Sequence, residues 1–191
     1  MRLVMLTLLA LSMIGSHVPS APAKEGKTAK KDARVAERKQ VIDAMAKATL
    51  DKLFAASKEA KQLSEKAVGC AVFDNTKVAI GISGGGGKGV AVDKATGSRT
   101  YMKMGTVGIG LGLGGQSYQV VFLFETKESL GGFVDKGWQA DAAATAAAGK
   151  EGVNAESTFK NGVAVFQMTE AGLMAAADVS GTKYWKNDEL N

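Results

Sequence analysis

Two runs near the middle of the chain limit its folding choices more than any other feature: GISGGGGKGV at residues 81–90 and VGIGLGLGG at 107–115. Glycine costs conformational entropy, so it is favoured where the backbone must turn sharply or be approached closely. Each run invites a phosphate-binding reading and fails it. A loop of the G-x-x-x-x-G-K-[ST] type aligned on Gly87 and Lys88 would put Ile82 at its first glycine and Gly89 at the magnesium-holding hydroxyl. The VAVD that follows reads as strand, not as a helix whose N-terminus faces phosphates. The G-x-G-x-x-G of Gly110, Gly112 and Gly115 likewise opens no helix, because QSYQVVFLF comes next. The structural alternative is a corner: Gly84, Gly85, Gly86 and Gly87, with Lys88, are expected to change the chain's direction between two strands. In the second run, Gly108, Gly110, Gly112 and Gly114 alternate with Ile109, Leu111 and Leu113. As a strand it would show one face of bare backbone, suited to close internal packing.

The N-terminus reads as a secretory leader. Arg2 precedes an apolar run at 3–15 that is too short to span a bilayer, and Ala21-Pro22-Ala23 is a small-residue cleavage site. Cleavage is expected after Ala23. The leader takes with it the chain's one histidine, His17, and both prolines, Pro19 and Pro22. Without histidine there is no Ser-His-Asp triad and no His-ligated zinc. The single cysteine, Cys70, sits in the apolar run VGCAVF and reads as a small buried hydrophobe. Asp74, Asp93, Asp135, Asp141 and Asp178 fall near turns or strand ends, with no second carboxylate at a selective spacing. The pattern points away from an enzyme and calls for no metal or cofactor. The last residues, KNDELN, only superficially resemble an ER-retention signal, since the chain ends in Asn191.

The remaining chain has two parts with different periods. Residues 24–31 read as a disordered basic lead-in. From Asp32, a plausible N-cap, to about Lys66 there is no glycine, and Val35, Ile42, Met45, Thr49 and Leu53 recur at helical spacing. This predicts an amphipathic helix, or two with a break near Ala56-Ser57. Residues 24–66 hold 12 Lys/Arg against 7 Asp/Glu, whereas 67–191 hold 11 against 12. The positive excess therefore sits at the front, as suits an acidic partner surface. From Ala67 onward short apolar runs predict strands at 68–74, 76–83, 89–93, 99–104, 107–115, 118–125, 162–168, 171–179 and 182–185. A turn is expected at Asp74-Asn75 and another over 94–97. Thr126 is expected to cap a short helix without a full capping box, and 138–149 reads equally as helix or strand. The two tryptophans, Trp138 and Trp185, suit a lipid interface, but one core and one partly exposed residue is the ordinary expectation. The fold class is α+β: N-terminal amphipathic helices, then a glycine-rich, curled antiparallel sheet or barrel-like body with one inserted helix, forming one domain over 32–191.

Three stretches carry a family resemblance: AVGCAVFDNTKVAIGISGGGGKGV, VGIGLGLGGQSYQVVFLFETKESLGGF and GLMAAADVSGTKYW. In this order, and over roughly residues 40–186, the chain resembles the SYLF-domain family, which includes yeast actin-patch proteins and exported bacterial proteins. The resemblance implies an α+β domain and lipid binding, with phosphoinositides as ligands of eukaryotic members. It also implies an amphipathic N-terminal helix, which maps here to about residues 32–54. Two features depart from relatives: Asp74 follows Phe73 where proline is often found, and no SH3 domain is present in the chain. The expected function is non-enzymatic, peripheral association of a periplasmic or secreted protein with anionic phospholipid. Arg34, Arg38, Lys39, Lys47 and Lys52 would face headgroups, while Ile42, Met45, Leu53 and Phe54 would face the membrane or pack on the sheet. The alternative is an envelope structural or protein-interaction module without lipid affinity. Nucleic acid is not an expected partner, because the basic stretch has few aromatics beyond Phe54. The oligomeric state is not set by the sequence.

Overall fold

The computed structural model of the chain describes residues 25–139, 159–169, 172–173 and 181–191. The leader at 1–23, most of 138–149, Asp141, Asp178 and the packing around the 108–114 glycines lie outside the described residues. Helix α1 runs Glu25–Ala56 and α2 Lys58–Lys66. The break falls where it was expected, at Ser57. This residue is extended, and its hydroxyl accepts from the Ala60 amide at 3.0 Å, an N-cap worth about 1 kcal/mol. The lead-in is not disordered: α1 already includes residues 25–31, and Asp32 lies within it rather than capping it. Lysine, alanine and glutamate dominate there, and all three tolerate helix well.

The strands merge into longer elements than the sequence suggested. Strand β1 is Gly69–Asp93 and β2 is Arg99–Phe124, one antiparallel hairpin whose ladder runs from Val92↔Arg99 back to Gly69↔Phe124. Asp74 and Asn75 make no turn; they pair with Gln119 and Tyr118 in register. The turn over 94–97 is present, and Gly97 takes the positive φ of 71° that it needs. Helix α3 (Lys127–Asp135) follows β2, then β3 (Trp138–Gln139), β4 (Val163–Thr169), β5 (Gly172–Leu173) and β6 (Thr182–Lys186). Thr126 caps α3 in a full capping box with Ser129 in the glutamate's usual place, against expectation. The six strands form one open sheet, ordered β3-β6-β2-β4-β5 with β1 on β2.

A strand of 25 residues would be roughly 80 Å long if straight. It bends instead, with a register shift between Ile80 and Ile82, and the hairpin doubles back on itself. The contacts show why glycine is needed. A β-carbon at Gly85 would lie 2.6 Å from the Thr76 carbonyl oxygen. One at Gly87 would overlap Asn75 and lie 2.6 Å from the Asp74 carbonyl, and one at Gly89 would overlap the Val72 carbonyl and the Phe73 ring. The two halves of β1 thus lie against each other antiparallel, carbonyl against bare Cα. Gly84 has open space around it, and the nearest atom to a β-carbon at Gly86 is 3.7 Å away. The glycine run is therefore not a corner between two strands. It continues in register from Gly84↔Val107 to Lys88↔Lys103 and takes no positive φ. Its inward members serve close approach rather than an unusual dihedral.

Each face of the sheet carries a core. On one, Phe73, Phe122, Phe124, Phe133 and Tyr184 form an aromatic core closed by α3, with Phe73 and Tyr184 4.6 Å apart edge to face. On the other, Ile42 and Leu53 of α1 pack with Cys70, Val72, Val121 and Leu123. This explains why VGCAVF is continuously apolar: alternate residues serve opposite cores. Burial pushes the Cys70 thiol up, which suits its role as a packed hydrophobe. Trp138 packs on the aromatic core and Trp185 is 39% exposed, the division expected from the sequence. Among the described residues, no helix is long and apolar enough to cross a membrane.

Two predictions follow from this packing. Gly89→Ala should destabilise the fold by about 3 kcal/mol, because a carbonyl and a ring must both move. Gly86→Ala, one position off that contact, should change stability by less than about 1 kcal/mol. Urea-unfolding midpoints of the two variants compare them directly. The Tyr184 hydroxyl is fully buried and has no hydrogen-bond partner, and burial pushes its pKa far up. The unfolded phenol ionises near pH 10 while the folded one stays protonated, so wild-type stability falls as pH rises above about 10. Tyr184→Phe should equal or exceed wild type at neutral pH and lose less stability above pH 10 in the same assay.

Candidate functional site

The five cations expected to face headgroups all lie on α1, but most are engaged within the molecule. Arg38 donates to the Glu189 carboxylate at 3.0 Å, and this bond, aided by Lys103, holds the Glu189 carboxyl below its usual range. Lys39 sits 5.1 Å over the Tyr101 ring. Lys47 pairs with Asp51 one turn on at 2.6 Å, and Lys52 donates to the Thr169 carbonyl at 3.3 Å. Arg34 is exposed. The apolar set takes the packing option: Ile42 and Leu53 are 1% and 0% exposed, and Met45 and Phe54 are half-buried against the same core. At roughly 1.5–3 kcal/mol per buried aliphatic side chain, that stripe stabilises the fold and is not available to a bilayer.

The C-terminal residues, which carried no role in the sequence reading, fasten α1 to the sheet. Leu190 is 1% exposed and joins the α1 core. Asn191 accepts from the Tyr101 amide at 2.9 Å and donates to the Tyr101 carbonyl at 2.7 Å and the Asn187 carbonyl at 2.9 Å. The Tyr101 hydroxyl donates to Asp43 of α1 at 3.0 Å, and Arg99 lies 3.5 Å from the other oxygen of that carboxylate. Burial, then the Asp43 carboxylate, raises the Tyr101 phenol, so it remains a donor at neutral pH. These contacts make α1 a fixed part of the body.

The described carboxylates hold structural posts. Asp93 accepts from the Ala95 and Thr96 amides at 2.8 and 3.1 Å, and those bonds lower its pKa. Asp74 accepts from Gln119 at 3.0 Å, and Asp135 pairs with Lys186 at 2.8 Å. A cavity of about 430 Å³ lies between the hairpin turn and α3, floored by Ala91, Leu130 and Val134. Asp93 lines it together with Lys127, so it offers one already-bonded carboxylate and one ammonium rather than an acid–base pair.

Lys88 and the glycines beside it lie elsewhere. Gly84, Gly86 and Lys88 alternate with the inward glycines and are exposed on the outer face of the sheet. The pairing puts Lys103 opposite Lys88, and Trp185 of β6 opposite Lys103. Sequence reasoning treated Lys88 as part of a corner, weighed Trp185 for a lipid interface without favouring it, and missed Lys103. Only strand register brings the three together, and no local motif signals it.

Helices laid over a glycine-rich, doubled-back antiparallel sheet, with the glycines at the backbone contacts, define an α+β class, and two comparisons are consistent with the SYLF-domain resemblance. Residues 105–191 match the family model described as "Ysc84: Las17-binding protein actin regulator". Over 164 residues the chain is 42% identical to Beta cell expansion factor A of Aeromonas veronii, an alignment covering 86% of this chain and 60% of that protein. It therefore spans less than two-thirds of the length of that curated relative.

Asn191→Ala removes three hydrogen bonds and should cost about 1–3 kcal/mol. Amide hydrogen exchange should report it as faster exchange at Tyr101, with little change in the hairpin core at Phe122.

Proposed function

We propose that this protein is a non-enzymatic module that associates peripherally with anionic phospholipid surfaces. The observation that carries the reading is the division of labour on α1. Its apolar stripe is consumed by the core, so what the described surface offers an acidic partner is positive charge and not an insertable helix face. Attraction is then electrostatic, at about 1 kcal/mol per cation near an anionic surface, and screened by salt. The SYLF resemblance supports the same reading, since it implies lipid binding, including phosphoinositide binding in eukaryotic members. Export belongs to the proposal: the leader at 1–23 would direct the chain to the periplasm or outside the cell, where bulk anionic phospholipid is the available ligand class. A second reading, an interaction module with a protein partner, is favoured by the description of the matched family as a Las17-binding actin regulator.

Co-sedimentation with phosphatidylglycerol-containing vesicles separates the two. Binding at low salt, its loss at high salt, and no binding to phosphatidylcholine alone are expected. Absence of binding to anionic vesicles at low salt removes the lipid reading and leaves the protein-partner one. N-terminal sequencing of protein recovered from the exporting cell should begin at Lys24; a chain beginning at Met1 removes the export element.

A further inference from the structure

The lipid reading, as the sequence alone gives it, puts the contact on α1. The structure assigns it elsewhere. We infer that the outer face of the β1–β2–β6 sheet, beyond the edge of α1, is the surface that meets an anionic bilayer, through Lys88, Lys103, Lys183, Trp185 and Val107. This inference rests on the lipid reading and names the site within it.

Register fixes the grouping. Directly opposed residues of an antiparallel pair share a face. Lys88 opposes Lys103, Lys103 opposes Trp185, Gly105 opposes Lys183, and Gly84 opposes Val107. Tyr101 and Val90 lie on the same face nearer the turn, and there α1 and its core cover them. Further along, the cover ends. Val107 is 76% exposed and Trp185 39%, and Lys88 and Lys183 are exposed. The surface is also low in relief. Gly84, Gly86 and Gly105 carry no side chain, and the far edge of the Trp185 ring lies 3.1 Å from where a β-carbon on Gly105 would be. The indole therefore lies along the sheet, level with the lysine stems around it.

Three features point to an anionic occupant. Lysines placed directly opposite each other on a sheet repel, so the Lys88–Lys103 pair works against folding. No described carboxylate lies within ion-pair distance of Lys88, Lys103 or Lys183. Glu189, whose carboxyl feels the charge of Lys103, is already bonded to Arg38. Finally, an exposed tryptophan and valine among cations on a flat face match the interface of an anionic bilayer, where indole sits at headgroup level and ammonium groups meet phosphate. A single exposed ring offers no row of stacking platforms, which disfavours a nucleic acid.

The full chain without its leader, mixed with phosphatidylglycerol–phosphatidylcholine vesicles at low salt, tests this. Lys88→Glu converts a repulsive cross-strand pair into an attractive one. Its urea midpoint should stay level or rise, while vesicle affinity falls about thirty-fold for the two-unit charge change. Arg34→Glu, at an exposed position of α1, should fall no more than a few-fold. In a Trp138→Phe background, Trp185 emission should shift to the blue on adding vesicles and be quenched by brominated lipid. Undiminished binding by Lys88→Glu together with a large loss in Arg34→Glu would return the site to the helix and overturn the inference while sparing the lipid reading. Unmoved Trp185 emission during vesicle binding would likewise overturn it. If the wild-type chain binds no anionic vesicle, both fail together.

Discussion

The fold depends on one contact: the carbonyls of the first half of β1 resting against the bare Cα positions of Gly85, Gly87 and Gly89 in its second half. Everything else is arranged around this closeness. With side chains there, the doubled-back hairpin would stand open, and Phe73 would lose its place against the second half of its own strand. Phe73 also touches Phe122, Phe133 and Tyr184, so the same contact sets the centre of the aromatic core. Once the hairpin is doubled, α1 covers only part of its outer surface. The uncovered remainder is the sheet region bearing Lys88, Lys103 and Trp185.

The lock on α1 changes what the N-terminal helix can do. An amphipathic helix that is free in solution can roll its apolar face into lipid. Here Ile42 and Leu53 are fully committed, Arg38 and Asp43 are tied to Glu189 and Tyr101, and Leu190 and Asn191 close the end. Releasing that stripe would expose the core that it covers. A lipid-binding role for this chain is therefore better served by a rigid cationic face than by helix insertion, and it should respond strongly to salt.

Much of the architecture was legible in the sequence, and the parts that were not share a cause. The helix break at Ser57, the turn at Gly97, the short helix after Thr126 and the α+β class follow from capping and turn chemistry, which act within a few residues. The division of β1 into separate strands at Asp74-Asn75 and at the glycine run did not hold. Turn propensity is a local preference, and here Asn75 is held in the ladder by Tyr118 across the hairpin and buried to 1%. In the first run Gly85, Gly87 and Gly89 lie against backbone, a structural use. Their reason was missed, because contacts between residues such as 72 and 89 leave no trace in local pattern. The same holds for the candidate site. The cations of α1 are visible as a charge run, whereas Lys88, Lys103 and Trp185 meet only through the register of three strands. Ser129 completing the capping box in place of glutamate is a smaller case, a geometric substitution that a residue-type rule overlooks.

The most direct measurement of the doubled hairpin is a proton NOE experiment on the folded protein. With Phe73 packed on Gly89, the Gly89 Hα resonances should show strong cross-peaks to the Phe73 ring protons and ring-current-shifted positions. Random-coil Gly89 Hα shifts with no cross-peak to Phe73, in a chain that still shows the β1–β2 ladder, would contradict the packing from which both the core and the exposed cationic face follow.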